Sequence, residues 1–262
     1  MEALASRPAM TLFRFAAPPE FYRLAGKAVP VFAVIAGVLA LIGLYLGFFV
    51  APTDAQQGEV YRIMFVHVPA AWMAMFLYLV MAFWAALGFV FNTRISAVMA
   101  SALAPTGALM AFLALWTGAL WGRPAWGTYW DWDARMTSTL ILLFLYMGYL
   151  ALHGAIDDVR RADRAAGLLA LVGVVNVPII YFSVQWWNSL HQGSSISLGR
   201  APSIAAPMLA AMLVMLFAFW AYCIAAALAR ARAIVLERER DADWVRAVVA
   251  DAPGAPGVTG AA

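Results

Sequence analysis

Six long apolar runs constrain this chain more than any other feature of its sequence. A helix needs about 20 consecutive apolar residues to cross the hydrocarbon core of a bilayer, because each residue advances it by only about 1.5 Å. Six segments meet this requirement, and each is apolar around the whole helix, as expected where lipid or other spans surround every face. These segments are 29–51, 68–91, 97–121, 136–152, 165–187 and 204–229. The sequence therefore predicts an all-α integral membrane protein with six transmembrane helices.

The composition excludes a water-soluble enzyme. Apolar residues make up 65% of the 262 residues and charged residues only 12%, which leaves too little polar surface to cover a soluble core. The one cysteine, Cys223, lies inside the last apolar run. The sequence therefore has no disulfide framework, no Cys-x-x-Cys redox pair and no Cys-x-x-Cys-His motif for covalent haem attachment. Phosphate-loop and dinucleotide-binding motifs are also missing from it.

The basic residues predict the orientation of the spans. An even number of spans places both ends of the chain on one side of the membrane, and short loops rich in Lys and Arg face the cytoplasm. Thirteen of the 17 basic residues fall on the side of the two termini. The four on the other side are Arg62, Arg123, Arg135 and Arg200. We therefore expect both termini to be cytoplasmic, and we interpret the first span as a retained anchor because no small-residue cleavage site follows it.

The same features predict the domain organisation. Residues 1–232 would form one six-span membrane domain, with a tryptophan-rich loop at 122–137. Residues 233–262 would form a cytoplasmic C-terminal tail, and the mixed charges over 229–250 favour a short helix at its start.

The chemically distinctive residues cluster on the outer side, in and beside the loops 52–66, 122–135 and 188–203. His67 enters the second span, and His191 follows the fifth, so topology places both near the outer boundary of the membrane. Interfacial tryptophans normally form belts at both faces, whereas eight of the 11 tryptophans here lie on or near one side. These eight are Trp72, Trp116, Trp121, Trp126, Trp130, Trp132, Trp186 and Trp187.

Two histidines with aromatic residues between them suit a flat aromatic ligand that carries a metal. Haem iron takes axial imidazole nitrogens above and below the macrocycle, aromatic side chains pack on its plane and edge, and arginines bind its propionates. Arg62, Arg135 and Arg200 are the propionate candidates, since each flanks an outer loop. If the middle loop is helical, Trp126, Trp130 and Asp133 share one face of it. The sequence thus predicts a haem site with His67 and His191 as metal ligands.

Other chemistries fit these residues less well. Two histidines without a thiolate or a clear carboxylate partner fall short of a zinc site. A Gly/Ser stretch follows His191 and is typical of a flexible loop rather than of a serine hydrolase. His153, at the other end of the fourth span, is expected to be a hydrogen-bonded structural residue. Asn176 and Pro178, in the fifth span, favour a local kink.

Three motifs in order resemble one known family closely. The run 126–137, Trp-Gly-Thr-Tyr-Trp-Asp-Trp-Asp-Ala-Arg-Met-Thr, resembles the tryptophan-rich WWD signature of haem-handling membrane proteins. The flanking runs His-Val-Pro-Ala-Ala-Trp (67–72) and Trp-Trp-Asn-Ser-Leu-His-Gln-Gly (186–193) are similar to those of one branch, the CcmC or haem exporter protein C family of bacterial cytochrome c maturation. The resemblance covers about 21–232. The chain departs from the family pattern at Tyr129, Asp131 and Met136, where tryptophan, an apolar residue and leucine are commoner.

The resemblance implies which residues bind a haem and which residues hold it in place. It implies that His67 and His191 are the axial ligands of a haem b, and that an outer platform holds the haem. Arg62 and Arg135 remain with this set as the propionate candidates. The platform residues implied are Trp121, Trp126, Trp130, Trp132 and Asp133.

The implied partners are the periplasmic haem chaperone CcmE, the ATP-driven pair CcmA and CcmB, and the small membrane protein CcmD. The implied activity is presentation of haem to the chaperone for covalent attachment, at the periplasmic face of the bacterial inner membrane, rather than conventional enzyme catalysis. Loss of either histidine should then remove an axial ligand, whereas changes at Trp126, Trp130 or Asp133 should mainly reduce transfer.

Two other functions remain open. A membrane b-type electron-transfer cytochrome ordinarily has paired histidines buried within neighbouring spans, whereas these two lie beside the outer loops. A haem-translocating permease subunit should carry polar residues along the span interiors, and few are present here.

Overall fold

The computed structural model describes residues 17–187, 189–191 and 201–250. The regular elements in these ranges are all helices. α1 is Pro18–Tyr45 and continues into a π-helical turn, Leu46–Val50; a 3-10 turn, Glu59–Ile63, leads into α2. The longer helices that follow are α2 (Met64–Phe91), α3 (Arg94–Trp126), α4 (Ala134–Ala155), α5 (Val159–Gly173), α6 (Asn176–Trp186) and α7 (Ala206–Arg238), and the short α8 is Asp243–Ala250.

Six helical stretches within these ranges are long and apolar enough to cross a membrane, which confirms the predicted fold class. They are Pro18–Val50, Glu59–Phe91, Arg94–Trp126, Ala134–Ala155, Val159–Trp186 and Ala206–Arg238. Each is longer than, or shifted from, its apolar run, because a helix continues past the hydrocarbon wherever its next residues tolerate helical backbone. The chain is a multi-pass membrane protein.

The fifth span is broken, as Asn176 and Pro178 predict. α5 ends at Gly173, and α6 begins at Asn176 after a two-residue turn. Proline has no backbone N–H, so Pro178 cannot donate to the carbonyl of Val174, and the Val177 N–H instead bonds to that carbonyl in a tighter turn, N···O 3.1 Å. Because of this break, α6 does not have to continue the axis of α5, and it packs against α4.

The core lies where α2, α3, α4 and α5 meet. The rings of Tyr78 and Tyr146 make an edge contact there, with centroids 5.0 Å apart, and both side chains are fully buried. A Cβ at Gly107 would overlap Tyr146, and one at Gly173 would overlap the Tyr78 hydroxyl. These two glycines therefore let the helices approach closely enough to enclose the tyrosine pair.

The turns of the bundle define two ends. We call the end formed by 51–58, 127–133, 187 and 189–191 the tryptophan end; the opposite end carries 92–93, 156–158, the start of α1 and α8. His153 lies at the opposite end, where its Nε2 is 2.8 Å from Asp163 Oδ1 and 3.1 Å from Ser101 Oγ. The prediction that this histidine is a hydrogen-bonded structural residue is therefore confirmed.

One condition set by the sequence is not met, and one prediction of local structure is wrong. The middle loop is not helical between α3 and α4: Gly127 ends α3 with a left-handed φ of 82°, so Trp130 and Asp133 do not continue the face that carries Trp126. The helix predicted over 229–250 is also not one element, because α7 continues to Arg238 and α8 begins only at Asp243. Arg200, part of the second histidine motif and the end of the tail lie outside the described residues.

Candidate functional site

A carboxylate–histidine pair lies at the tryptophan end. Asp133 Oδ2 is 2.7 Å from His191 Nδ1, and only 3% of the Asp133 side chain and 16% of the His191 side chain are exposed. Burial lowers the pKa of His191, and the neighbouring Asp133 carboxylate offsets this only in part. The imidazole is therefore neutral at pH 7, donates Nδ1–H to the carboxylate and keeps a free lone pair on Nε2.

Two further hydrogen bonds hold the Asp133 side chain, one from α4 and one from the histidine loop. Its Oδ1 accepts the Met136 N–H at 2.7 Å, which makes it the N-cap of α4, and its Oδ2 also accepts the hydroxyl of Ser189. The Ser189 Oγ accepts the His191 backbone N–H at 3.1 Å. Burial raises the pKa of Asp133, but the hydrogen bonds from Ser189, Met136 and His191 outweigh it and bring the pKa below its ordinary value. The carboxylate is thus ionised and fixes the 189–191 loop to α4.

His67 lies four residues into α2 and is held by α3. Its Nδ1 is 3.0 Å from Thr117 Oγ1, and the Thr117 hydroxyl itself donates to the carbonyl of Leu113, one turn earlier. Because that hydroxyl proton is already used, Thr117 accepts a hydrogen bond from His67 Nδ1–H. When its ring is neutral, His67 therefore has its unprotonated nitrogen at Nε2, as His191 does.

Two residues of α3 shape the space around His67. A Cβ at Gly118 would lie 2.9 Å from the His67 Cε1 atom, so only glycine lets the ring pack this close to the helix. The Trp121 ring makes an edge contact with the imidazole, with centroids 5.6 Å apart. Trp121 is itself held by Gln57, whose side-chain oxygen accepts the indole N–H at 2.7 Å. The first outer loop is thereby tied to the histidine.

The remaining predicted platform tryptophans fall into two groups. Trp126 contacts His191, with ring centroids 4.8 Å apart. Trp130 and Trp132 make an edge contact with each other at 5.3 Å; Trp132 is 74% exposed, whereas the Trp130 indole N–H is buried without a hydrogen-bond partner. Trp126 and Asp133 thus support a histidine, and Trp132 faces outward.

The two candidate arginines have different surroundings. Arg62 is engaged by Glu59 and by the end of the first span, where it donates to the carbonyls of Gly47 and Ala51. Within the part of the chain that the structure describes, the Arg135 side chain makes two long hydrogen bonds, 3.3 Å to Ser183 Oγ and 3.4 Å to the carbonyl of Tyr181. The charge of Arg135 acts on both imidazoles, and His191 acts on His67. Of the two described candidate arginines, Arg135 is therefore the one whose charge reaches both histidines.

Comparison with known proteins places the chain in one family. A family model described as Heme exporter protein C matches residues 11–246. The chain belongs to this family.

Several Heme exporter protein C relatives cover most of the chain. The relative from Escherichia coli strain K12 is 44% identical over 239 residues, which is 91% of this chain and 96% of the relative. The relative from Haemophilus influenzae is 45% identical over 237 residues, 90% and 96% of the two chains. The relative from Bradyrhizobium diazoefficiens is 48% identical over 230 residues, 87% of each. The resemblance drawn from the three motifs is thus confirmed.

Sequence reasoning missed four residues of this candidate site: Thr117, Gly118, Gln57 and Ser189. Thr117 and Gly118 lie 50 and 51 residues beyond His67, and no local pattern links them to it. The role of Ser189 could have been predicted, because a serine two residues before a loop histidine commonly bonds to the backbone of the same turn.

The two histidines are suited to be axial ligands of a metal. The described residues do not offer a set of equatorial ligands beside them. Among the described residues, no group of three or more His, Cys, Asp and Glu side chains could hold an ion. Two imidazoles with unprotonated Nε2 atoms could hold a metal together with donors that a bound ligand supplies. The neighbouring indoles and a nearby guanidinium suit a ligand that is flat, aromatic and anionic at one edge.

Proposed function

We propose that this protein binds haem b at the tryptophan end through His67 and His191, and presents it to the periplasmic chaperone CcmE for covalent attachment in cytochrome c maturation. The observation that carries the proposal is that Nδ1 of each histidine lies within 3.0 Å of an oxygen acceptor, which leaves Nε2 as the unprotonated nitrogen of the neutral ring. Tautomer control by an outer partner is the usual arrangement for metal-binding histidines.

Each residue of the site would have a distinct role in binding haem. His67 and His191 would supply the axial nitrogens, Arg135 would bind a propionate, and Trp121 and Trp126 would pack beside the ligated histidines. Haem supplies the reactivity of its own vinyl group. The protein's contribution would be orientation and proximity, with reacting groups held rather than activated.

The exposure of the aromatic residues favours presentation over an enclosed electron-transfer site. Trp132 is 74% exposed and Tyr129 57% exposed at the end of the bundle. A chaperone must reach the haem edge, so aromatic residues open to solvent suit a docking surface next to that edge. An electron carrier has no need for such access.

The family and the charge pattern support the following setting. Both termini would lie in the cytoplasm and the tryptophan end in the periplasm of a bacterial inner membrane. CcmA, CcmB and CcmD would be the other components with which the protein works. In this arrangement the chaperone meets the tryptophan end, and the ATP-driven pair acts from the cytoplasmic side.

The proposal is tested on the purified full-length protein by visible absorption, oxidised and reduced, and by loading of the chaperone. Wild type should show a bis-histidine haem spectrum, and His67→Ala and His191→Ala should each lose it. Trp132→Ala should keep the spectrum and load the chaperone more slowly by about tenfold, the scale of one interface anchor residue. Trp220→Ala, on a partly exposed tryptophan of α7, is the matched control and should change neither measurement. Normal spectra and normal loading in both histidine variants would defeat the proposal.

A further inference from the structure

The two histidines differ in the group that accepts their Nδ1–H. His191 donates to Asp133, a buried carboxylate at 2.7 Å. His67 donates to Thr117, a neutral hydroxyl at 3.0 Å whose own proton goes to Leu113. In both cases Nε2 is the nitrogen left for a ligand. The group that accepts Nδ1–H is anionic for His191 and neutral for His67.

This difference changes the donor strength of the imidazoles. A carboxylate that accepts Nδ1–H pulls the proton toward itself, places negative charge on the ring and makes Nε2 a stronger donor. Hydrogen bonds to an ionised acceptor are also roughly twice as strong as those between neutral groups. Asp131 adds a second negative charge that acts on His191. Arg135, by contrast, acts on both rings and does not distinguish them.

The histidines also differ in how each is positioned. His67 is placed by helix packing, between Gly118 and Trp121 of α3. His191 lies on a loop, and its ring is positioned by the carboxylate of Asp133 and by Trp126. Asp133 is in turn fixed as the N-cap of α4. The carboxylate therefore controls both the direction and the donor strength of His191, whereas Thr117 controls only the tautomer of His67.

We propose that Asp133 and Thr117 are positioning residues that make the two axial ligands unequal: His191 is the stronger and retained ligand, and His67 is the weaker ligand that an incoming donor displaces first. This rests on the proposed haem-binding function. It assigns an order of ligand release, in which a donor from the chaperone replaces His67 while His191 keeps its bond.

The test compares four variants of the purified full-length protein after haem loading, by haem content and visible absorption. His67→Ala should retain haem with one open axial position, which added imidazole fills and so restores a six-coordinate spectrum. His191→Ala should bind haem about 10- to 100-fold more weakly than His67→Ala. Asp133→Asn should resemble His191→Ala in direction, since its amide can serve the α4 cap or His191 with its oxygen, but not both. Asp158→Asn is the matched control, because Asp158 also caps a helix, where its Oδ1 accepts the Arg161 N–H at 2.8 Å, but it lies at the opposite end of the bundle, and this variant should stay close to wild type.

Two further variants test the role of Thr117. Thr117→Val keeps the shape of the side chain but cannot accept Nδ1–H, so carbon monoxide should displace His67 in the reduced protein at lower concentration than in wild type. Thr117→Ser keeps the acceptor and should behave as wild type. Helical circular dichroism and elution volume report whether each variant is folded.

The outcomes separate this inference from the function on which it rests. If wild type binds no haem, the proposed function fails. If wild type binds haem but the two histidine variants lose it equally, or His191→Ala retains more than His67→Ala, the inequality of the ligands is overturned. An Asp133→Asn variant that is folded and has wild-type haem affinity and spectrum would overturn the role given to the carboxylate.

Discussion

Gly118 shows how a single missing carbon can determine whether a histidine fits. Its α-carbon faces the His67 ring so closely that an added Cβ would lie 2.9 Å from Cε1. Cε1 joins the two ring nitrogens, so a shift of this atom moves both the Thr117 hydrogen bond and the free Nε2. The neighbouring ring of Trp121 leaves the imidazole little room on that side.

We therefore expect Gly118→Ala to weaken haem binding by about tenfold, the lower end of what disturbed ligand support costs, while the protein still folds. The measurement is haem titration followed by visible absorption. Gly37→Ala is the matched control, since a Cβ at Gly37, also inside a helix, meets nothing within 4 Å. Equal affinities for the two variants would show that the His67 ring has more freedom than its contacts suggest.

The ligand candidates could be identified from the sequence, but their supporting side chains could not. His67 and His191 stand in recognisable runs beside predicted loops, so motif and topology single them out. Asp133 also stands in such a run, yet its hydrogen bond to His191 depends on how α4 begins and on where a loop 58 residues away returns. Thr117 and Gly118 look like ordinary residues of an apolar helix. Their function depends on the contact of α2 with α3, which no periodicity in either helix specifies.

The break between α5 and α6 directs one helix toward the site. Asn176 is buried at the start of α6, and its side-chain amide donates to the carbonyl of Ser138 in α4 at 2.8 Å. This bond holds α6 beside α4, where Ser183 and the carbonyl of Tyr181 accept from Arg135. The turn at 174–175 thus positions two hydrogen-bond acceptors of Arg135.

Asn176→Leu should destabilise the protein by about 0.5–1.5 kcal/mol, the range for a side-chain hydrogen bond between membrane helices. For a chain of this size that corresponds to a fall of roughly 1–6 °C in Tm, measured by thermal unfolding in detergent. Val172→Leu is the control, because Val172 is exposed on α5 and makes no such bond. A Tm for Asn176→Leu at or above that of the control would show that the interhelical bond contributes nothing to stability.

The helices were predictable in number and approximate place, but not in extent. Apolar runs locate the part of each helix that lies in hydrocarbon, whereas a helix continues as far as its backbone bonds and packing allow. α1 begins at Pro18, 11 residues before its apolar run, and α3 continues through Arg123 and Pro124 to Trp126. The middle loop is consequently shorter than predicted, and this is why its tryptophans do not share a helical face.

The molecule as a whole has two chemically different ends. The tryptophan end presents exposed aromatic rings and one buried carboxylate–histidine pair. At the opposite end, Arg238 donates to both oxygens of Asp163 at 2.8–2.9 Å, and Arg232 lies over the Tyr22 ring at 4.2 Å. Further arginines lie around that end, among them Arg94, Arg160 and Arg164, which is the pattern expected of a cytoplasmic face. The helical spans separate these two chemistries, so the orientation of the protein decides which partners each can meet.

Orientation can be measured with single introduced cysteines. The native Cys223 is 1% exposed, so the wild-type protein serves as its own unlabelled control. Ala125→Cys lies near the end of α3 beside the tryptophan loop, and Asp241→Cys lies between α7 and α8; both positions are exposed. With the inner membrane intact, a membrane-impermeant maleimide should label Ala125→Cys and leave Asp241→Cys unlabelled until the membrane is permeabilised. The reverse pattern would place the tryptophan end in the cytoplasm, out of reach of a periplasmic chaperone, and so exclude presentation of haem to it from this surface.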